Sequence, residues 1–234
     1  MARLPRLTIA GQLHLVLHRA HAGAHVFRDD EDFAAYRQAL IASAPEHGVA
    51  IHAYTLLASQ VLLLVTPREA TSLSRMWQAL GRRFGADYNR RHGRSGVLWE
   101  GRFRTTVVDA HAHFLDGCRY VESAPVRAHF ASTAEEYEWS SAAHHAGGRV
   151  DGAVTEHPGY WALGNTPFER EARYRLLLEQ PLPAALEQRL TQAALKGWAV
   201  GEPAFVNGLG EMTARRLAPL PRGRPRKVKK IVPK

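Results

Sequence analysis

The feature that most constrains the fold is an uncharged segment at residues 47–67, which contains no Asp, Glu, Lys or Arg. Its length would nearly cross a bilayer, yet it holds two histidines and a small-polar break at Ser59 and Gln60. Its β-branched residues favour strands. We therefore predict two consecutive buried strands, "VAIHAYTLL" and "VLLLVTP", and no membrane partner. Gln60 then stands as a lone amide at the start of an apolar strand.

The segments around these strands complete a recognisable order. "GQLHLVLHR" predicts a first strand, and "EDFAAYRQALIASA" predicts a helix capped by Asp29 or Asp30. A second helix is expected at about residues 71–91. "GVLWEGRFRTTVVD" then predicts a strand pair, or an extended loop and a strand, and "AHAHFLDGCRYVESA" predicts a third helix that Pro125 ends or bends. This is the ferredoxin-like order, so we predict an α+β fold with an antiparallel sheet and helices packed on one face.

The pattern changes in the C-terminal third of the chain. "TPFEREARYRLLLEQ", "PAALEQRLTQAALKGW" and "GEPAFVNGLGEMTARRL" predict three short helices. We expect a sheet domain at residues 1–147, a small helical extension at residues 148–214, and a basic, disordered tail at residues 215–234.

The positive charge is concentrated in that tail. The chain has 31 Lys and Arg against 22 Asp and Glu. Residues 215–234 hold nine of the basic residues and no acid, so residues 1–214 carry 22 of each sign. The tail segment "RGRP" is typical of an AT-hook, in which Arg222 and Arg224 would enter an A·T-rich minor groove. A generic polycation is the alternative, and either one predicts a partner with dense negative charge.

A second basic segment, "RRFGADYNRRHGR", lies at residues 82–94. One interpretation is a solvated helix face whose two aromatic residues belong to the core. The density of arginine favours the other interpretation, contact with phosphates. Two further arginines follow in "LWEGRFR". The predicted DNA-binding residues of the body are Arg82, Arg83, Arg90, Arg91, Arg94, Arg102 and Arg104.

The cysteine count and the N-terminal residues indicate the cellular compartment of the protein. Cys118 is the single cysteine, which excludes an internal disulfide framework and is typical of a reducing compartment. The first residues contain no apolar stretch of the kind that a signal peptide needs. We therefore expect a cytoplasmic protein.

Several segments occur in the order of a known family. These are "GQLHLVLHR", "VFRDDEDF", "IHAYTLL", "LGRRFGADYNRRHGRSGVLWEGRFR", "CRYVESAPVRA", "YEWSS", "GNTPFERE", "KGWAVGEPAF" and "RGRPRK". Together they resemble the REP-associated tyrosine transposases, a branch of the HUH single-strand transposases. The resemblance implies binding of hairpin-bearing single-stranded DNA and cleavage through a covalent phosphotyrosine. It also implies a Mg²⁺ or Mn²⁺ ion, held by a His-hydrophobic-His pair and by a polar residue one turn past the tyrosine.

This sequence departs from the family at every implied ligand position. The family's "TNHVHLLLTP" aligns with "ASQVLLLVTP", so its histidines fall on Gln60 and Leu62. Tyr120 matches the nucleophile, and Ala124 stands where the family has asparagine. A strand alternates its side chains and a helix repeats every four residues, so these positions would share one site. We therefore expect no bound metal and no other cofactor.

The resulting expectation is a DNA-binding protein whose transposition chemistry is lost or strongly impaired. The alternatives are a purely non-catalytic DNA-binding regulator and, from another class, an RNA-hairpin-binding protein. A metal cage rebuilt from His14, His18 and His52 would preserve catalysis, although strand histidines are more often packed residues than ligands. The pattern predicts no particular oligomeric state.

Overall fold

The computed structural model describes residues 5–21 and 24–219. Within these ranges no helix combines the length and the apolar character that crossing a bilayer requires. The elements, in chain order, are β1 (Leu13–Arg19), α1 (Asp30–Glu46), β2 (Val49–Leu57), β3 (Gln60–Pro67), α2 (Ser72–Arg91), β4 (Arg104–Val108), α3 (Ala110–Glu122), α4 (Ala124–Arg127), α5 (Ala142–His145), α6 (Pro158–Trp161), α7 (Pro167–Glu179), α8 (Ala184–Lys196) and α9 (Pro203–Met212).

The four strands form one antiparallel sheet in the order β2-β3-β1-β4. The uncharged segment becomes the hairpin of β2 and β3, in which Leu57 pairs with Gln60 across a two-residue turn. The strand order and the two intervening helices are those of a ferredoxin-like fold, so the predicted α+β class is confirmed.

Helices cover both faces of this sheet. Val16 and Leu63 point to the face covered by α1 and α2, and Leu15 and Leu64 point to the face covered by α3 and α8. The expectation of helices on one face therefore holds for α1 and α2 alone. The reason is that β1 and β3 are apolar at successive positions, and strands buried on both faces need two covering layers.

The three predicted helices of the extension are present as α7, α8 and α9. They are packed directly on the sheet domain: Tyr174 of α7 and Leu190 of α8 join the same buried cluster as Leu64 of β3. The division of the chain at residues 147 and 214 stays a prediction, since the extension shares its core with the sheet.

Local signals in the sequence set several boundaries. Asp29 is the N-cap of α1 and accepts a hydrogen bond from the Asp32 amide. Helix α3 ends at Glu122, and α4 restarts beside Pro125. Between α2 and β4 the chain is a loop, joined to the end of β1 by the bridge of Ala20 with Trp99 and by the Glu100 amide, which donates to the Arg19 carbonyl oxygen (2.9 Å). The loop-and-strand alternative for "GVLWEGRFRTTVVD" is thus the correct one.

A buried polar network ties the extension to α3. The Glu122 carboxylate, which is fully buried, accepts hydrogen bonds from Ser141 Oγ (2.5 Å), from the Tyr174 hydroxyl and from His145 Nδ1 (2.7 Å). Tyr160 donates to the His145 carbonyl oxygen (2.8 Å). A buried carboxylate needs such donors because water no longer solvates it. The network therefore fixes α5 and α7 against α3.

The network predicts unequal effects of two tyrosine substitutions. Tyr174→Phe removes a donor to a buried carboxylate, and we expect the free energy of unfolding to fall by about 1.5–3 kcal/mol. Tyr160→Phe removes a bond to a neutral carbonyl and should lower it by about 0.5–1.5 kcal/mol. Urea unfolding followed by circular dichroism measures both. Equal losses in the two variants would contradict this account of Glu122.

Candidate functional site

Tyr120 lies in a cavity of about 210 Å³ between the sheet and the helices of its second face. We call it the Tyr120 cavity. The structure brings together all four positions that the sequence alignment singled out, from three separate elements. The lining residues are Leu17, Arg19, Gln60, Leu62, Tyr120, Ala124, Arg127, Ala128 and Thr191.

The sheet register explains why these residues meet. Leu62 pairs with Leu17 and Gln60 pairs with Arg19 across β3 and β1, so alternate residues of both strands face the cavity. Tyr120 and Ala124 approach from α3 and α4. The helix is interrupted at Ser123, yet Ala124 still lies one turn beyond Tyr120, as the predicted spacing requires.

The Tyr120 side chain is held under α8. It is 6% exposed, and its hydroxyl lies 3.0 Å from Thr191 Oγ1. The Arg127 guanidinium stacks 4.6 Å from the ring centroid and donates to the Tyr120 carbonyl oxygen. Arg127 also contacts Glu187 of α8 (3.4 Å), and burial lowers the pKa of this guanidinium. Helix α8 thus supplies partners both for the tyrosine and for the arginine that covers it.

The lining of the Tyr120 cavity does not fit a divalent cation. Mg²⁺ and Mn²⁺ prefer carboxylate, carbonyl and imidazole ligands, and none of the described lining residues carries a carboxylate or an imidazole. Leu62 and Ala124 are buried apolar residues, and Gln60 offers one neutral amide. Arg19 and Arg127 add positive charge, which repels a cation.

The three strand histidines are packed residues. His14 contacts the Gln12 carbonyl oxygen (2.6 Å) and the Ile9 amide, and His18 contacts Gly101 O (3.1 Å) and the Trp77 indole N–H (2.7 Å). His52 contacts Thr155 O and Thr66 Oγ1. Both nitrogens of each ring are therefore occupied. The hypothesis of a metal cage rebuilt from these residues is wrong.

One other group of side chains has the spacing of metal ligands. Asp29, Asp32 and His92 have ligand atoms within 4.8 Å of one another. Arg91 is bonded to both carboxylates, with Nη1 2.5 Å from Asp32 Oδ1. Its guanidinium lowers the pKa of Asp29. The cluster is therefore an ion-pair network that joins the start of α1 to the end of α2.

The predicted DNA-binding arginines divide by their partners. Arg83 bonds to Glu46 (2.7 Å), Arg90 bonds to Asp87 (2.7 Å), and Arg91 bonds to the acids of α1. Carboxylates thus offset three of the charges.

Of the other four, Arg104 alone has an ion-pair partner among the described residues, and that partner is distant. Arg94 and Arg104 donate to the carbonyl oxygens of Val97 and Leu195, and Glu100 lies 3.9 Å from Arg104. Among the described residues, Arg82 and Arg102 have no side-chain partner. Arg222 and Arg224 lie outside the described residues.

Two arginines at the Tyr120 cavity were missed. Arg19 ends β1 as an exposed side chain, and Arg127 covers Tyr120 from α4. Both occur in segments that resemble the transposase family, "LHR" and "PVRA". A search for dense arginine clusters overlooks such isolated residues, which only the register of β1 and β3 brings to the cavity.

Comparison with known proteins supports the fold. No family model and no curated protein matches this chain. Among solved structures it is similar to a REP-associated tyrosine transposase bound to a REP hairpin, with a TM-score of 0.53 and 14% sequence identity. The similarity covers 67% of this chain and 93% of that chain. The fold relationship is shown. Assignment to the transposase family stays a prediction.

The buried histidines predict acid lability. Burial lowers the pKa of His14, His18 and His52 to about 4, whereas an unfolded histidine titrates near 6.5. The unfolded chain therefore binds more protons between pH 6.5 and 4. The free energy of unfolding should fall across this window as the pH drops, by up to about 1.4 kcal/mol per pH unit for each histidine.

Urea unfolding at a series of pH values measures this slope. His52→Gln keeps hydrogen-bonding capacity and removes one titrating group, so it should make the slope shallower. An unfolding free energy that stays constant between pH 6.5 and 4 would contradict the assignment.

We expect that residues of the implied ligand types, placed in the Tyr120 cavity, will bind a metal ion. The triple variant Gln60→His, Leu62→His, Ala124→Asn should bind one Mn²⁺ per chain, because the three positions line one cavity. The single variant Gln60→His is the matched control and should take up no stoichiometric Mn²⁺. Titration calorimetry measures both. Stoichiometric Mn²⁺ uptake in this cavity by the unmodified protein would refute our account of the lining.

Proposed function

We propose that this protein binds hairpin-bearing single-stranded DNA and no longer performs metal-dependent nicking and strand transfer. The binding half of the proposal is supported by the fold, which is similar to that of a transposase solved with a REP hairpin. The catalytic half is supported by the residues around Tyr120.

The observation that carries the proposal is that Gln60, Leu62 and Ala124 bring no carboxylate and no imidazole to the Tyr120 cavity. A tyrosine with a pKa near 10 is a weak nucleophile at neutral pH. Cleavage of a phosphodiester also needs positive charge placed where the transition state accumulates negative charge. An amide, an isobutyl group and a methyl group stand at Gln60, Leu62 and Ala124, so these positions supply none of that charge.

The position of Tyr120 adds a second obstacle to cleavage. A nucleophile must approach the phosphorus atom to about 3–3.5 Å. The Tyr120 hydroxyl is instead bonded to Thr191 and covered by α8. A phosphodiester would have to displace this contact with Thr191 of α8, the helix whose Leu190 and Ala193 belong to the shared core.

The binding surface is proposed to use the arginines that pair with no carboxylate among the described residues. Phosphate contacts supply most of the affinity in nucleic-acid binding, and an arginine already paired with an acid supplies less. This favours Arg19, Arg82 and Arg102 over Arg83, Arg90 and Arg91. The AT-hook-like arginines Arg222 and Arg224 would add affinity for duplex DNA, as the sequence predicts.

A single substitution at the Tyr120 cavity tests the binding surface. Arg19→Ala should weaken binding to a single-stranded DNA hairpin several-fold and reduce the log–log salt slope by about 1, because one phosphate contact is lost. Arg75→Ala removes an exposed arginine that is paired with Glu69 (3.2 Å) and serves as the control. Fluorescence anisotropy over a salt series measures both. Equal losses in the two variants would contradict a surface at Arg19.

The same assay, run with a matched RNA hairpin, separates the two nucleic acids. Preference for RNA would overturn the DNA assignment and favour the RNA-hairpin alternative. Incubation of the DNA hairpin with Mg²⁺ or Mn²⁺ should give no covalent adduct. An adduct that forms in the native protein and disappears in Tyr120→Phe would refute the loss of catalysis.

A further inference from the structure

A second concave site lies at the edge of the sheet formed by β4, which is bridged by Val200 but has no further strand beside it among the described residues. It has a volume of about 280 Å³. The residues that line it come from four parts of the chain, and half of them are basic. We call it the basic notch, and its basic residues are Arg6, Arg102, Arg104, Lys196 and Arg215.

Backbone carbonyl groups, rather than carboxylates, hold these cations in place. Arg6 donates to Phe103 O (3.3 Å), and Arg104 donates to Leu195 O (3.1 Å). Arg215 donates to Pro5 O and to Gly197 O, each at 2.6 Å. A carbonyl orients a guanidinium without cancelling its charge, whereas a carboxylate does both. Among the described residues no carboxylate lines the notch, and Glu100, 3.9 Å from Arg104, is its nearest ion-pair partner.

The segments that the structure does not describe contain no acidic side chain. Residues 1–4, 22–23 and 220–234 contain no Asp or Glu. Arg102 and Lys196 are exposed and have no side-chain partner among the described residues.

Two further features mark the notch as a built site. Thr105 forms part of its wall, is 3% exposed, and has a hydroxyl with no hydrogen-bond partner among the described atoms. Gly197 has φ +72°, and a Cβ there would lie 2.7 Å from Arg215 Nη2. A side chain at position 197 would therefore displace the Arg215 guanidinium from the end of α8.

Capping of α8 is the simplest structural role for these side chains. Basic residues favour helix C-termini because they bond the last carbonyl groups and offset the dipole. Arg104 and Arg215 do this for Leu195 and Gly197. Lys196, in the last turn of α8, offsets the same dipole. Capping leaves Arg102 without a role, and it does not explain why five cations that repel one another are placed around one concavity.

We propose that the basic notch is a binding site for a phosphoryl group. Its volume is below the roughly 300–1,000 Å³ of pockets that enclose whole small molecules, which fits one phosphoryl group better than a cofactor. Guanidinium groups match phosphate oxygens in pairs, and Lys196 adds a point charge. The group is either a backbone phosphate of a bound nucleic acid or free inorganic phosphate. Only the first source rests on the proposed function.

The test is a titration of the native protein with inorganic phosphate at constant ionic strength in chloride. Amide resonances of residues 102–105 and 196–197 should shift in a saturable way, since these residues form the notch. The double variant Arg102→Gln, Lys196→Gln removes two charges that bond to no described backbone group, and phosphate affinity should fall at least tenfold. The control, Arg68→Gln with Arg75→Gln, removes two exposed charges elsewhere and should change affinity less than twofold.

A hairpin DNA added to the phosphate-bound protein distinguishes the two sources. Displacement of phosphate from the notch identifies a backbone phosphate, and retention of phosphate with DNA bound elsewhere identifies free phosphate. Absence of any DNA binding would refute the proposed function and leave the phosphate titration intact. The notch proposal is overturned if phosphate shifts no amide of residues 102–105 and 196–197, or if the control variant loses as much affinity as the notch variant.

Discussion

The burial of β1 and β3 on both faces determines the rest of the structure. Leu15, Val16, Leu63 and Leu64 are fully buried, although adjacent residues point to opposite sides of the sheet. Each face therefore needs a helical layer, and the second layer is built from α3, α7 and α8. Tyr120 lies on α3 inside this second layer, so the same apolar contacts that stabilise the sheet close its cavity.

The residues that stand at the implied ligand positions are consistent with that closure. Leu62, Ala124 and Tyr120 belong to one buried apolar cluster, together with Leu190 and Ala193 of α8. Histidine at position 62 would place an imidazole in this interface and would require a hydrogen-bonding partner or a metal there. Leucine at that position removes the need for either one. A non-ligating residue at position 62 and the packing of α8 over Tyr120 thus favour each other energetically.

Sequence reasoning was accurate where the signal is local. The absence of charge over residues 47–67 predicted the β2–β3 hairpin, and strand alternation placed Gln60 and Leu62 on one face. It failed where two distant segments meet. The contact between Tyr120 and Thr191 spans 71 residues, and the ion pair of Arg83 with Glu46 spans 37. An apolar stripe predicts that a helix is buried, but it does not name the surface that covers it.

The arginines show most clearly that the bonding partner of a side chain decides whether it can attract an anion. Residues 1–214 are neutral overall, so a polyanion can be attracted only where the two signs are separated locally. The densest cluster of arginines, at residues 82–94, attracts a polyanion less than its composition suggests. Carboxylates pair with Arg83, Arg90 and Arg91.

The sparser arginines of the basic notch bond mainly to carbonyl groups and keep their charge. Residues 82–94 hold arginines more densely along the sequence, but the basic notch holds more basic side chains that are not paired closely with a carboxylate. The difference arises because a guanidinium that bonds to a carbonyl is fixed in place but still attracts an anion, whereas one that bonds to a carboxylate attracts it weakly.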